Sequence, residues 1–138
     1  MPRANVPPPH AEFANLSKVE LRTMADGLLL EPEPWLIDRC VQFVLAETEG
    51  VWHGRARAMM CRRLKHCGLG RTHRAMLVEC ITSRLSDGSY SEQFKDQLRL
   101  ALQLDTVGTL SACRRCLASK KAYVRRYAEW VLAGRDRP

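Results

Sequence analysis

Cysteine and histidine are the residue types in this sequence that could build a reactive or metal-binding site. Cys113 and Cys116 form a Cys-x-x-Cys pair, and further soft ligands for zinc lie at Cys61, His66 and Cys67. No second Cys-x-x-Cys pair accompanies this one, and its cysteines fall on an apolar helical stripe, where a thiol behaves as a small hydrophobic side chain. A redox motif would need a βαβ context that the sequence does not predict. We therefore expect core thiols, with no metal and no cofactor.

Three histidines, His53, His66 and His73, lie near the ends of predicted helices and beside arginines. A histidine acts in catalysis only with a positioned partner and a shaped pocket. No nucleophile and base at an interpretable spacing accompany these histidines. The sequence predicts no catalytic residues, and we expect that the protein is not an enzyme.

The basic residues point most clearly to a partner. The 138-residue chain has a net charge of +7, and residues 51–138 contain 18 basic and 7 acidic side chains, against 4 and 8 in residues 1–50. This uneven charge favours an anionic partner. The candidate partner-binding residues project away from the apolar helix faces or lie at a corner between helices: Arg55, Arg62, Lys65, Arg99, Lys120, Lys121 and Arg126. Arg63 projects into an apolar face, so we expect it to snorkel or to pair with an acid.

The elements that must position these side chains are helices. Ser17 and Glu20 form the pattern of a capping box, which predicts a short helix over 17–28. Beyond Pro34 the apolar residues keep a helical period, and Ser91 is expected to cap one of the later helices. Turn residues divide this part into six predicted helices, at about 35–48, 54–66, 71–86, 91–104, 107–119 and 121–134.

The prolines before the first helix predict a different kind of segment. Residues 1–15 include three consecutive prolines and are expected to form a flexible arm, which leaves 16–138 as a single helical-repeat domain. Among the tryptophans, Trp35 and Trp130 are expected to pack between helices. Trp52 precedes a predicted helix, where inter-helix packing is favoured over an exposed anchor.

The predicted helices repeat along the chain. A shift of 36 residues, applied twice, aligns four columns of alternate helices, and one column contains Val41, Leu77 and Cys113. The intervening helices align with shifts of 38 and 30 residues, and one of their columns contains Met60, Leu98 and Ala128. This pattern predicts three antiparallel helix pairs behind an N-terminal capping helix, which is an α-solenoid. A tetratricopeptide-like array and a plain helical bundle are the alternatives.

The last predicted pair resembles HEAT repeats. Within residues 122–134, Val124 and Arg125 open an Ala-containing helix, as a Val-Arg pair does in the second helix of a HEAT-type unit, and the resemblance is best over 91–134. It implies an all-α, right-handed HEAT-like array. It also implies that the basic residues at the equivalent positions, Arg57, Lys95 and Arg125, contact acids inside the array.

These observations favour a binding function. We expect a non-catalytic scaffold that uses the curved face of a HEAT-like array to bind an acidic protein segment. The alternative is sequence-independent binding of duplex phosphates by the same basic residues. No apolar run approaches the roughly 20 residues needed to cross a membrane. No secretory signal is evident, so we expect a cytoplasmic protein with reduced thiols and no membrane partner.

Overall fold

The computed structural model describes residues 8–90 and 93–134, and within these ranges every regular element is a helix. A short 3-10 helix, Pro8–Asn15, is followed by seven α-helices: α1 Lys18–Leu30, α2 Pro34–Leu45, α3 Val51–Leu64, α4 Arg71–Asp87, α5 Lys95–Leu104, α6 Thr106–Cys116 and α7 Ala122–Gly134. The all-α class expected from the helical periodicity is confirmed for this part of the chain.

The helix ends agree with local capping chemistry. The Ser17 hydroxyl accepts from the backbone N–H of Glu20 at 3.2 Å, and the Glu20 carboxylate accepts from the Ser17 N–H at 2.8 Å, so the predicted capping box is present. Pro34 is the first residue of α2, where its missing N–H costs no hydrogen bond. The capping role expected for Ser91 lies outside the described residues.

The segment expected to be a flexible arm differs in its second half. Residues 8–15 form the 3-10 helix, and Phe13 within it is buried, with its ring edge-on to Phe43 at 5.7 Å between centroids. Glu12 accepts a charged hydrogen bond from Arg39 of α2 at 2.9 Å. Burial of one large aromatic side chain repays the ordering of a short segment, which composition alone does not reveal. Residues 1–7 lie outside the described part.

The α-helices pack in two rows. In one row α1 contacts α3 and α3 contacts α5, and in the other α2 contacts α4 and α4 contacts α6. Helices α2 with α3, α4 with α5, and α6 with α7 are neighbours in sequence and pack across the two rows. Helix α7 also reaches α5, because Tyr127 lies edge-on to Phe94 and Trp130 lies under Lys95.

The core lies between the two rows. The aligned residues Val41, Leu77 and Cys113 are all fully buried, as are Met60, Leu98 and Ala128 in the other set of helices. Other aligned positions diverge, since Met76 and Leu117 are exposed where their counterparts Cys40 and Ile81 are buried. The aligned positions at the middle of the apolar face therefore lie in the core, whereas those at its edges are buried in only some of the helices.

Candidate functional site

Helix α3 presents a basic stripe on its exposed side. His53, Ala56, Met60 and Leu64 are buried against α1, α2 and α5, so the exposed side of α3 is the opposite face of the helix. The outward positions follow one another three or four residues apart and hold Trp52, Arg55, Met59 and Arg62. No residue of α3 is acidic. The stripe therefore combines two exposed guanidinium groups with apolar surface.

Helix α5 lies beside this stripe and adds two more exposed cations, Lys95 and Arg99. Its one acidic residue, Asp96, has a side chain that is only 11% exposed. One carboxylate oxygen of Asp96 accepts from Arg62 Nη1 at 2.7 Å, and the other accepts from Arg99 Nη1 at 3.3 Å. Asp96 thus joins α3 to α5 and neutralises part of the charge of the two predicted site residues Arg62 and Arg99.

Two tryptophans hold further cations in place. Lys18 Nζ of α1 lies 3.9 Å from the centre of the Trp52 ring, and Arg55 Cζ lies 5.1 Å from it. On α7, the Trp130 ring has Lys95 Nζ at 4.8 Å and Arg99 Cζ at 5.1 Å. Cation–π contacts of this kind are worth about 0.5 to 1 kcal/mol at exposed sites, and they order long side chains without neutralising them.

The remaining predicted site residues are Lys65, Lys120, Lys121 and Arg126. Lys121 donates to the carbonyl of Asp87 at 2.6 Å, at the end of α4, so it serves the turn after that helix. Lys120 and Arg126 are exposed, and Lys65, at the end of α3, is half-buried. The structure brings together Arg62 and Arg99 through Asp96, and it does not place Lys121 beside them.

The HEAT resemblance implies acidic partners for Arg57, Lys95 and Arg125, and the structure gives them other partners. Arg57 is buried, but its Nη2 donates to the carbonyl and the hydroxyl of Thr48 at 3.0 and 2.7 Å, and no described acid forms an ion pair with it. Arg125 donates to the Ser119 carbonyl at 2.6 Å. Lys95 lies over Trp130. Arg63 does pair with an acid, Asp26 of α1, at 3.1 Å, in line with its position on an apolar face.

Four of the six cysteines, Cys40, Cys61, Cys113 and Cys116, are buried. Burial raises the pKa of Cys40 and Cys61 from 9.0 to about 12 and that of Cys113 to about 11. Cys116 is also buried, with its Sγ 3.6 Å from the Ser86 hydroxyl. Among the described residues, no group of three or more His, Cys, Asp or Glu side chains could hold a metal ion. Buried thiols with raised pKa values are poor nucleophiles.

The histidines take part in packing contacts. His53 is buried, with Nδ1 2.9 Å from the Thr48 hydroxyl and Nε2 3.1 Å from the Leu16 carbonyl oxygen. His73 Nε2 lies 2.9 Å from an Asp38 carboxylate oxygen, which joins α4 to α2. Trp35, expected to pack between helices, is instead 63% exposed, and its indole N–H donates to Glu33 at 2.9 Å.

Sequence reasoning missed Asp96, Lys18 and Arg22. The spacing of Asp96 and Arg99 at i and i+3 on one helix is a local signal that could have revealed one of its ion pairs. The other pair joins residues 34 positions apart, and periodicity carries no information about it. Lys18 and Arg22 lie within residues 1–50, and the negative net charge of that part of the chain gives no indication of a basic site.

No helix in residues 8–90 and 93–134 is long and apolar enough to cross a membrane. No family model, no curated protein and no solved structure matches this chain.

Proposed function

We propose that this protein is a non-catalytic, HEAT-like helical scaffold that binds an acidic protein segment on the exposed face of α3 and α5. One observation carries this proposal. The two helices expose four cations, Arg55, Arg62, Lys95 and Arg99, and their single acid, Asp96, is buried. This face therefore keeps an excess of positive charge after its own ion pairs are counted, and such a face attracts an anionic partner.

A protein segment fits this face better than a duplex. Exposed apolar groups lie beside the cations, because Trp52 is 43% exposed and Val51 before it is also exposed. Duplex phosphates offer nothing for these groups to contact, whereas a polypeptide can pair carboxylates with the cations and apolar side chains with the rest. Duplex binding by the same cations is therefore an outcome that the experiment must distinguish.

Affinity capture with a matched pair of variants tests this function. Arg55→Glu with Lys95→Glu reverses two charges on the proposed face, and Arg71→Glu with Arg114→Glu reverses two exposed charges on the α4 and α6 row. Each pair lowers the net charge by the same amount. A protein that is captured from nuclease-treated native lysate by the wild type and by the α4 and α6 variant, and lost with the α3 and α5 variant, supports the proposal.

Two results count against it. Equal capture by both variants would mean that the exposed face of α3 and α5 is not the binding surface. Capture that disappears on nuclease treatment, together with duplex affinity that falls steeply as salt is raised, would assign the face to nucleic acid instead. Circular dichroism of each variant establishes that the helices are retained.

A further inference from the structure

The groove between α1 and α3 lies next to the proposed face, and apolar side chains and cations line it. Its apolar surface comes from Leu21 and Ala25 on α1 and from Ala56 and Met59 on α3, with Trp52 at one end. Two alanines at the contact between the helices leave space that larger side chains would fill. The groove has a volume of about 210 Å³.

Only cations form the polar part of this lining. Lys18 and Arg22 line it from α1, and Arg55 lines it from α3. Among the described residues no carboxylate forms an ion pair with any of these three side chains. Glu20, the acid nearest to them along α1, is bound at its own helix end by Ser17. The groove therefore offers an apolar floor below a rim of one charge sign.

A second cleft has a different lining. The cleft between α4 and the end of α5 is larger, at about 390 Å³, but Glu79 and Asp105 line it together with Arg74. Arg74 is also engaged, since it donates to the Leu104 carbonyl at 2.9 Å. Because both positive and negative side chains line that cleft, it does not favour a ligand of either charge.

We infer that the α1 and α3 groove binds a bulky apolar side chain of an acidic partner segment, flanked there by carboxylates that pair with Lys18, Arg22 and Arg55. The inference rests on the proposed function and names the feature of the partner that gives specificity. An apolar cavity of about 150 Å³ admits a benzene ring, so this groove has room for one aromatic or branched side chain. Anchors of this kind, seated in an apolar pocket with charged groups at the rim, dominate binding at protein interfaces.

The test uses two fluorescein-labelled synthetic peptides of Glu and Ala that differ only in a central Phe or Ala. Fluorescence anisotropy gives the affinity of each for the full chain. We expect the Phe peptide to bind at least about tenfold more tightly, because a buried aromatic anchor contributes that much or more. Trp52→Ala removes one wall of the groove and is expected to abolish the preference while the Ala peptide still binds.

Charge reversal at the rim gives an independent measurement. Lys18 and Arg22 are exposed on the first turns of α1, where an acid suits the helix dipole, so Lys18→Glu with Arg22→Glu is expected to fold. This variant should lower the affinity for the Phe peptide by more than tenfold. The Arg71→Glu and Arg114→Glu variant, which changes the net charge equally, should lower that affinity much less.

The outcomes separate this inference from the proposed function. One result overturns the inference and leaves the proposed function standing: the wild type binds the two peptides with equal affinity, and the Arg55→Glu and Lys95→Glu variant binds neither. Absence of binding by either peptide at low salt overturns both. A concentration-dependent dimer that Trp52→Ala dissociates would show that a second copy of the chain occupies the groove, which also overturns the inference.

Discussion

Two buried arginines, Arg57 and Arg84, donate hydrogen bonds to backbone carbonyls at the end of α2. Arg84 Nη2 donates to the carbonyls of Leu45 and Ala46 at 3.1 and 3.2 Å, and its Nη1 donates to Gln97 at 2.9 Å. The last carbonyls of a helix have no partner within it, so these donors replace water there. Burial and the nearby charge of Arg84 lower the pKa of Arg57 from 12.5 to about 10. These two cations are structural and do not belong to the binding face.

Asp96 has a different role, because it pairs with Arg62 of α3 and with Arg99 of its own helix, α5. Replacing it with Asn keeps the shape but removes the charge that Arg62 and Arg99 share. We expect Asp96→Asn to lower the free energy of unfolding by about 1 to 2 kcal/mol, since both arginines are half exposed and their pairing is screened by water. The same change should strengthen binding of an acidic peptide, because two guanidinium groups become available to it.

Asp26→Asn is the matched control for this prediction. It removes one carboxylate from the ion pair with Arg63 between α1 and α3, so the net charge changes equally. Urea unfolding and peptide anisotropy on both variants give the two readouts. If Asp96→Asn binds the acidic peptide no more tightly than Asp26→Asn does, Arg62 and Arg99 have only a structural role.

The buried thiols predict how stability depends on pH. In the unfolded chain a thiol ionises near pH 9, whereas Cys40 and Cys61 in the fold stay protonated up to about pH 12. Unfolding therefore releases protons above pH 9, and stability falls as the pH rises through this window. Each such thiol should lower the free energy of unfolding by about 1 kcal/mol between pH 9 and 10.

Urea unfolding from pH 8 to 10 measures this slope, and iodoacetamide labelling followed by mass spectrometry measures the protection of each thiol. Above about pH 10 the lowered pKa of Arg57 makes stability rise with pH, in opposition to the thiols. The slope is therefore measured only up to pH 10. Cys113→Val removes one buried thiol and uses the residue type found at Val41, its aligned position, so its slope should be smaller. Native labelling of Cys61 at pH 8 would show that its burial is not maintained in solution.

At the scale of elements, the turn after α4 is where that helix meets the start of α7. Gly88 caps α4 in the left-handed region with φ of 71°, and the Tyr123 hydroxyl donates to its carbonyl at 3.1 Å. Lys121 donates to the neighbouring Asp87 carbonyl. The start of α7 is thus tied to the end of α4, which explains why Lys121 belongs to the fold more than to the binding face.

Gly88→Ala tests the tie between α4 and α7. A Cβ there would lie 2.5 Å from the Tyr123 hydroxyl oxygen, and the positive φ is itself unfavourable for Ala. We expect a loss of about 1 to 2 kcal/mol in the free energy of unfolding, since both the strain and the lost hydrogen bond act in the same direction. Gly68→Ala is the control, because open space surrounds that position and the change should be neutral.

The elements were the most predictable level, for physical reasons that particular residues show. Pro34 and the Ser17 and Glu20 pair act locally, so they place the starts of α2 and α1 without knowledge of the rest of the fold. Phe13 is the contrary case. Its partner Phe43 is 30 positions away, so the 3-10 helix depends on a contact that no local pattern contains.

The candidate site was predictable only in part. Outward projection at 100° per residue places Arg55, Arg62 and Arg99 correctly on exposed faces, because helix geometry determines it. Whether an exposed cation remains available depends on tertiary neighbours. Asp96 reaches Arg62 from another helix, and the Asp87 carbonyl holds Lys121, so the availability of neither cation follows from helix geometry alone.

At the scale of the whole molecule, positive charge and apolar surface coincide on one row of helices. Helices α1, α3 and α5 together carry the groove, the exposed Trp52 and the cations around it. Among the acidic residues of the first 50 positions, Glu12 pairs with Arg39, Asp38 with His73, and Asp26 with Arg63. Cations and apolar surface therefore lie side by side along α1 and α3.

Mapping by NMR tests this account most directly. An unlabelled acidic peptide is titrated into ¹⁵N-labelled protein, and the shifts of backbone amides and of the three Trp indole N–H groups are followed. We expect the amides of α1, α3 and α5 and the Trp52 indole N–H to shift together and saturably, while those of α4 and α6 and the Trp35 indole N–H do not shift. Shifts centred on α4 and α6, or shifts spread evenly over the surface, would contradict it.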